Sequence, residues 1–321
     1  MDADPPHLRA AHPQIRALLE AAAAESEEPG PADIAAERAA YLDTTLRLGG
    51  AAEPVADVAE LVIPSGEARL PAALYVPLHA SETTGLLVWL HGGGWYVGDI
   101  ATFDRVGRSL ANASGLKVLM PEYRLAPEHR WPVQIEDADA VVGWSRSEAG
   151  AHQLAIDPSR VVVGGDSAGG QLAAVAVRHA RDDGGLPVRA QLLVYPELDP
   201  ALDSPACTEF RDGPMLTLAD MRRCWGFYLD GGDPRHPDVA PLCAGDLQGL
   251  PPAWVAVAGL DPLRDDGLRY ADALRGAGVA THVRRFDDMV HGFLRWAGVV
   301  DRARELVDWL GDAARDAAAE R

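Results

Sequence analysis

From residue 57 onward, runs of consecutive apolar residues alternate with stretches in which apolar positions recur every three or four residues. Eight runs read as strands: VAELVIP, LPAALYVP, GLLVWL, KVLMPE, RVVVGG, AQLLVYP, AWVAVAG and HVRRFDD. The first two, joined by a turn at Ser65-Gly66, read as an antiparallel pair. Helical patterns lie between several of the others, for example AGGQLAAVAVRHARD and DGLRYADALRGAG. Continuous apolar strands alternating with helices predict a mostly parallel sheet covered on both faces.

Two segments stand outside that alternation. Residues 5 to 48 read as helical, with Ile15, Leu18, Leu19 and Ala22 at helical spacing, a break at ESEEPGPAD, and a second helix through Ala35, Tyr41, Leu42 and Leu46. Residues 1–50 are therefore expected to form a helical piece packed on the main domain, residues 51–321. The interval from about 202 to 248 is too long for an ordinary connection and contains the aromatic-rich helical stretch LTLADMRRCWGFYL. It reads as an excursion inserted between strands.

Composition narrows the function. The 321 residues are 48% hydrophobic, enough for a large single core, and carry a formal net charge of −19. Such a surface repels phosphate backbones and anionic headgroups, so neither a nucleic-acid nor a membrane partner is expected. Lys117 is the sole lysine and lies in an apolar run, which disfavours lysine chemistry. The opening MDADPPHLRA lacks the basic-then-apolar order of a secretory signal, and no apolar run reaches the roughly 20 residues of a membrane span. Three cysteines without C-x-x-C spacing are simplest as reduced thiols in a cytoplasmic protein. No H-E-x-x-H or Cys/His cluster points to a metal.

The chemistry concentrates in RVVVGGDSAGGQLAAVAV. It holds G-x-S-x-G as Gly165-Asp166-Ser167-Ala168-Gly169, between a predicted strand and a predicted helix, where the pattern means a nucleophile elbow. Ser167 needs a base, and in such enzymes the acid and then the histidine follow the serine in the chain. His291, after the last strand and before Gly292, fits best; His179, His236 and His282 suit packing or surface roles. Asp261 is the expected acid, first after the AWVAVAG strand. Asp265 and Asp266 suit the start of the next helix, and Asp287 and Asp288 are alternatives nearer His291. The triplet Gly92, Gly93, Gly94 then has a purpose: the N–H groups of Gly93 and Gly94, with that of Ala168, can reach the oxyanion of a tetrahedral intermediate because no side chain blocks the approach.

The motifs HGGGW (91–95), YRLAPE (123–128), GDSAGG (165–170), DPLRDDG (261–267) and HGF (291–293) together resemble the hormone-sensitive-lipase-like family of bacterial carboxylesterases. The resemblance implies an α/β-hydrolase fold, with its central, mostly parallel eight-stranded sheet flanked by helices. It also implies a helical cap built from the N-terminal segment and the excursion, and a structural role for His91 beneath the glycine loop. The chain carries Asp266 where the family usually has Glu. The implied activity is hydrolysis of short-to-medium acyl esters through a Ser-His-Asp triad and an acyl-enzyme, with a small-molecule ester as partner and no cofactor. An amidase, deacetylase or lactonase on the same triad is the alternative, and a non-catalytic receptor is a more distant one. A homodimer is held open. Trp225 and Tyr228 are expected to enclose the acyl chain, with Trp95 and Tyr96 at the mouth; the alternative is that Trp225 and Tyr228 pack the excursion against the sheet.

Overall fold

The computed structural model describes residues 10–25, 33–79 and 84–319. Eight strands form one sheet: β1 (Asp57–Ser65), β2 (Ala68–Val76), β3 (Thr84–Leu90), β4 (Lys117–Pro121), β5 (Ile156–Asp166), β6 (Gln191–Val194), β7 (Ala253–Leu260) and β8 (Thr281–Val290). Their spatial order is β1-β2-β4-β3-β5-β6-β7-β8. The hairpin β1/β2 and the pair β2/β4 are antiparallel, and every later pairing is parallel. Each of the eight predicted runs falls on a strand. β5 begins earlier than its apolar run, because the polar IDPSR segment extends it on the N-terminal side.

Alternation along the strands divides the core in two. In β3 every residue is buried; Leu86, Val88 and Leu90 face one layer, and Leu87 and Trp89 face the other. The first layer is built from α4 (Val133–Ser145), α6 (Ala168–Asp182) and α9 (Arg264–Gly276), with α5 (Glu148–Leu154) beside them. The second is built from α3 (Ile100–Ser114) and α10 (Asp301–Ala319). Asp99 caps the N-terminus of α3 through the N–H of Thr102, and Gly115, at φ +69°, ends it. A sheet buried on both faces offers its ligand-binding crevice at the carboxyl ends of its parallel strands, where β3, β5, β6 and β7 lead into the loops described below.

The N-terminal segment folds as two helices with different positions. α1 (Pro13–Glu25) joins the α3/α10 layer through Ile15, and Gln14 bonds Asp301. α2 (Ile34–Leu48), capped by Asp33, packs on the same layer through Tyr41 and Leu48 and also reaches the glycine loop. There Arg38 donates to the carbonyl of Tyr96 and pairs with Glu128, while Glu37 pairs with Arg223. Parts of the predicted helical run, residues 5–9 and the break at 26–32, lie outside the described residues. The excursion after β6 carries α7 (Pro205–Glu209) and α8 (Leu218–Leu229), the latter started by a Thr217/Asp220 capping box. Leu218 and Met221 of α8 pack on Leu263, so the excursion is seated on the loop that follows β7.

Candidate active site

Ser167 stands between β5 and α6 with φ +55° and ψ −122°, a conformation that a side-chain-bearing residue adopts only under constraint. The constraint comes from its neighbours. A Cβ on Gly165 would lie 2.3 Å from the carbonyl oxygen of Gly169, and one on Gly169 would lie 2.0 Å from that of Leu90. The Ser167 N–H donates to Val194, and its carbonyl accepts from Gly170 and Glu197, which pins the turn to the end of β6.

His291 follows β8 and precedes Gly292, which turns the chain at φ +79°. Its Nε2 lies 2.9 Å from Ser167 Oγ, and its Nδ1 lies 2.7 Å from Asp261 Oδ2. Asp261 is fully buried just past β7, and its other oxygen accepts the N–H of Leu263 at 2.9 Å. The Tyr195 ring, 4.7 Å from that of His291, backs the imidazole. A hydroxyl, an imidazole and a buried carboxyl are thus strung in the order that proton transfer from the hydroxyl requires.

The other acids and histidines are committed elsewhere. Asp265 pairs with Arg264 and accepts the N–H of Ala206; Asp287 pairs with Arg285, and Asp288 with Arg302. His179 bridges Asp139 and Asp238, His236 packs on Trp131, and His282 stacks on Trp254.

The glycine loop leaves β3 beside Ser167. Gly93 (φ +120°), Gly94 (φ +54°) and Trp95 (φ +62°) are consecutive residues in backbone conformations that favour glycine. A Cβ on Gly93 would meet the carbonyl oxygen of Val97 at 2.2 Å, and one on Gly94 the Sγ of Cys224 at 2.5 Å. Among the described residues, no hydrogen bond takes up the N–H of Gly93, Gly94 or Ala168. The loop is tied to the elbow by Asp166, whose Oδ1 accepts the N–H of Gly92 at 3.0 Å.

Comparison with known proteins gives the family. The family model for the alpha/beta hydrolase fold matches residues 87–295. This chain belongs to the α/β-hydrolase family. Over 244 residues it is 43% identical to the carboxylic ester hydrolase LipN of Mycobacterium tuberculosis, a stretch covering 74% of this chain and 64% of LipN. It is 40% identical to the carboxylesterase NlhH of the same species, covering 75% and 76% of the two chains. A solved ester-hydrolase from the metagenome of Lake Arreo superposes with a TM-score of 0.90 at 34% identity, covering 95% of this chain and 98% of that one. Within the family, the chain is a hormone-sensitive-lipase-like carboxylic ester hydrolase.

Around its site the hydrolase buries several ionisable groups. Burial pushes His91 down to about 4, so the ring is neutral; it bonds the Gly92 carbonyl through Nδ1 at 2.8 Å and stacks on Tyr123. Burial pushes Asp166 up to about 6, held back by the nearby Arg295 charge and the Gly92 N–H. Asp266, which reads as a plain helix-start residue, is buried, accepts the N–H of Leu198 and is pushed up to about 7.

Ser167, His291, Gly93 and Gly94 border a cavity of about 390 Å³, roofed by Tyr41 of α2 and Leu216 of the excursion. Of the four aromatics expected there, Tyr96 lines it. Trp95, Trp225 and Tyr228 lie behind the wall: Trp95 is fully buried and stacks on Tyr228 at 4.3 Å and against Trp225 at 4.4 Å. Large apolar rings gain more from packing together than from bordering a wet cavity, and here they anchor the excursion to the glycine loop. Sequence reasoning missed Glu197, Arg295 and Glu37 as cavity residues. The available signal for Glu197 was a charged residue directly after the apolar AQLLVYP run.

Proposed function

We propose that this hydrolase cleaves small carboxylic esters through an acyl-enzyme on Ser167. The observation that carries the reading is the Ser167–His291–Asp261 chain, with contacts of 2.9 and 2.7 Å, at the base of a cavity reached by free N–H groups. Ser167 Oγ attacks the ester carbonyl carbon while His291 Nε2 takes the hydroxyl proton. Asp261 holds the Nδ1–H tautomer and stabilises the imidazolium. The carbonyl oxygen becomes an oxyanion facing the N–H groups of Gly93, Gly94 and Ala168. The intermediate then expels the alkoxide, which leaves as alcohol with the proton from His291. Water, deprotonated by the same imidazole, attacks the acyl-serine, and the carboxylic acid departs.

Cavity size supports a preference for short acyl chains. Its 390 Å³ is near the lower end of the ~300–1,000 Å³ range of ligand pockets. α2 and the excursion are read as one cap, joined by Glu37 with Arg223, and Tyr96 of the glycine loop donates to the same carboxylate. No helix among the described residues is long and apolar enough to cross a membrane. The free cysteines Cys207, Cys224 and Cys243 suit a reducing cytoplasm. Nitrophenyl esters from acetate to palmitate, with emulsified triglyceride alongside, test the reading. The optimum should fall at butyrate or hexanoate; a preference for long-chain emulsion with a rate jump at the solubility limit overturns it.

A further inference from the structure

One polar group in the catalytic cavity has no task in this mechanism. Glu197 is 3% exposed and lines the same cavity as Ser167 and His291. Its main-chain N–H donates to the Ser167 carbonyl at 3.2 Å, so the residue is fixed beside the elbow. Among the described residues its Oε1 is sealed from solvent and has no hydrogen-bond partner. The Trp225 indole is near enough to favour the charged form weakly, yet its N–H also lies outside hydrogen-bond geometry. A buried carboxyl without a partner costs several kcal/mol if ionised, and burial, reinforced by Asp266 and Asp261, pushes its proton affinity well up.

The remaining charges of the cavity explain what would satisfy it. Glu37 is neutralised by Arg223, Asp166 accepts from Gly92, and Asp220 is held in the α8 capping box. Arg295 is engaged with Thr45 and lies over the Tyr41 ring, 3.9 Å from its centroid. The lining is thus richer in acids than in cations, in a protein of net charge −19. An incoming cation is drawn toward it and finds in Glu197 a carboxyl that no protein group has claimed.

The geometry points to Glu197 as a specificity-determining residue that selects esters bearing a protonated amine. The inference rests on the proposed acyl-enzyme reading at Ser167 and adds the substrate class. When the ammonium enters, Glu197 gives up its proton to bulk water and the ammonium donates to the resulting carboxylate, a charge-assisted contact that a neutral isostere cannot make.

Two isosteric pairs test it, one on each side of the ester bond. 2-(Dimethylamino)ethyl butyrate is compared with 3-methylbutyl butyrate, and the nitrophenyl ester of N,N-dimethylglycine with that of 3-methylbutyrate. The quantity read is the ratio of kcat/KM, cationic over neutral, in wild type and in Glu197→Gln; comparing ratios between proteins cancels intrinsic reactivity. The ratio should fall at least fivefold in one pair. Changes under fivefold in both pairs overturn the proposal. Should Glu197→Gln fail to fold, wild type decides: N,N-dimethylethanolamine should inhibit butyrate hydrolysis competitively, at least fivefold more tightly than 3-methylbutanol, and equal inhibition overturns it. Hydrolysis of the neutral esters, abolished in Ser167→Ala, reports separately on the underlying reading.

Discussion

Replacing Asp261 by Asn keeps the side chain's shape and changes one proton pattern. In the wild-type site Oδ1 accepts from Leu263 N–H at 2.9 Å and Oδ2 faces His291 Nδ1 at 2.7 Å, with no solvent contact. An asparagine can satisfy the Leu263 N–H only by turning its oxygen there, which leaves its NH₂ against Nδ1. Nδ1 must then accept, the ring proton moves to Nε2, and the imidazole donates to Ser167 Oγ instead of receiving its proton. Flipping the amide restores the useful tautomer but buries an unsatisfied N–H, at about 1–3 kcal/mol. Loss of the carboxylate that stabilises the imidazolium adds to this, and the same change in a Ser-His-Asp protease lowers kcat by ~10⁴. Asp261→Asn should therefore lower kcat on nitrophenyl butyrate by about 10³–10⁴ at neutral pH, with KM within about threefold and the melting transition retained. Asp265→Asn and Asp287→Asn, whose partners are arginines, should stay within about tenfold of wild type. Asp261→Asn retaining more than about a tenth of the activity, or Asp288→Asn suffering the large loss instead, would refute the tautomer argument.

Other perturbations test separate parts of the account. Gly93→Ala forces a Cβ to 2.2 Å from the Val97 carbonyl and should cost about 10²–10³ in kcat by displacing an oxyanion donor; near-normal turnover would remove Gly93 from that role. Trp225→Ala should cost about 3–5 kcal/mol in urea unfolding, because the ring is packed against Trp95 and Tyr228, and should leave the acyl-length optimum where it is. Leu216→Trp, which narrows the cavity, should shorten that optimum, and an unmoved optimum would take Leu216 out of the acyl path. His179 is raised to about 9 by its bonds to Asp139 and Asp238. Its contribution is fully present below the unfolded value near 6.5 and is lost as pH rises through about 9. With the side chain 30% exposed, screening reduces that contribution to roughly 1–2 kcal/mol. Wild type should therefore lose stability relative to His179→Gln between pH 6.5 and 9, and parallel pH profiles would contradict the assignment.

What the sequence reveals and what it hides have physical causes. The inner strands are legible because burial on both faces demands unbroken apolar runs, as in GLLVWL. The elbow and the glycine loop are legible because their backbone angles and close approaches admit only small residues, at Gly93, Gly165 and Gly169. The order serine, acid, histidine and the start of each loop favour Asp261 and His291 as candidates, with Asp287 and Asp288 as alternatives for the acid. Which side of a wall an aromatic ring occupies depends on tertiary packing, so Trp95, Trp225 and Tyr228 could not be assigned to cavity or core from spacing. The N-terminal helices illustrate the same limit: α1 and α2 carry similar alanine-rich patterns and both pack on the α3/α10 layer, yet α2 reaches the cavity and α1 does not line it. Glu197, Arg295 and Glu37 become neighbours only when residues far apart in the chain converge.

The central claim is that Ser167 carries the acyl group, and covalent labelling tests it most directly. Wild type and Ser167→Ala would each be treated with a nitrophenyl alkylphosphonate, then followed by intact mass, peptide mapping and residual butyrate hydrolysis. The account predicts one adduct per chain, mapped to Ser167, with activity lost in proportion, and neither adduct nor hydrolysis in Ser167→Ala. An adduct on another residue, or a Ser167→Ala protein that still hydrolyses butyrate, would contradict it.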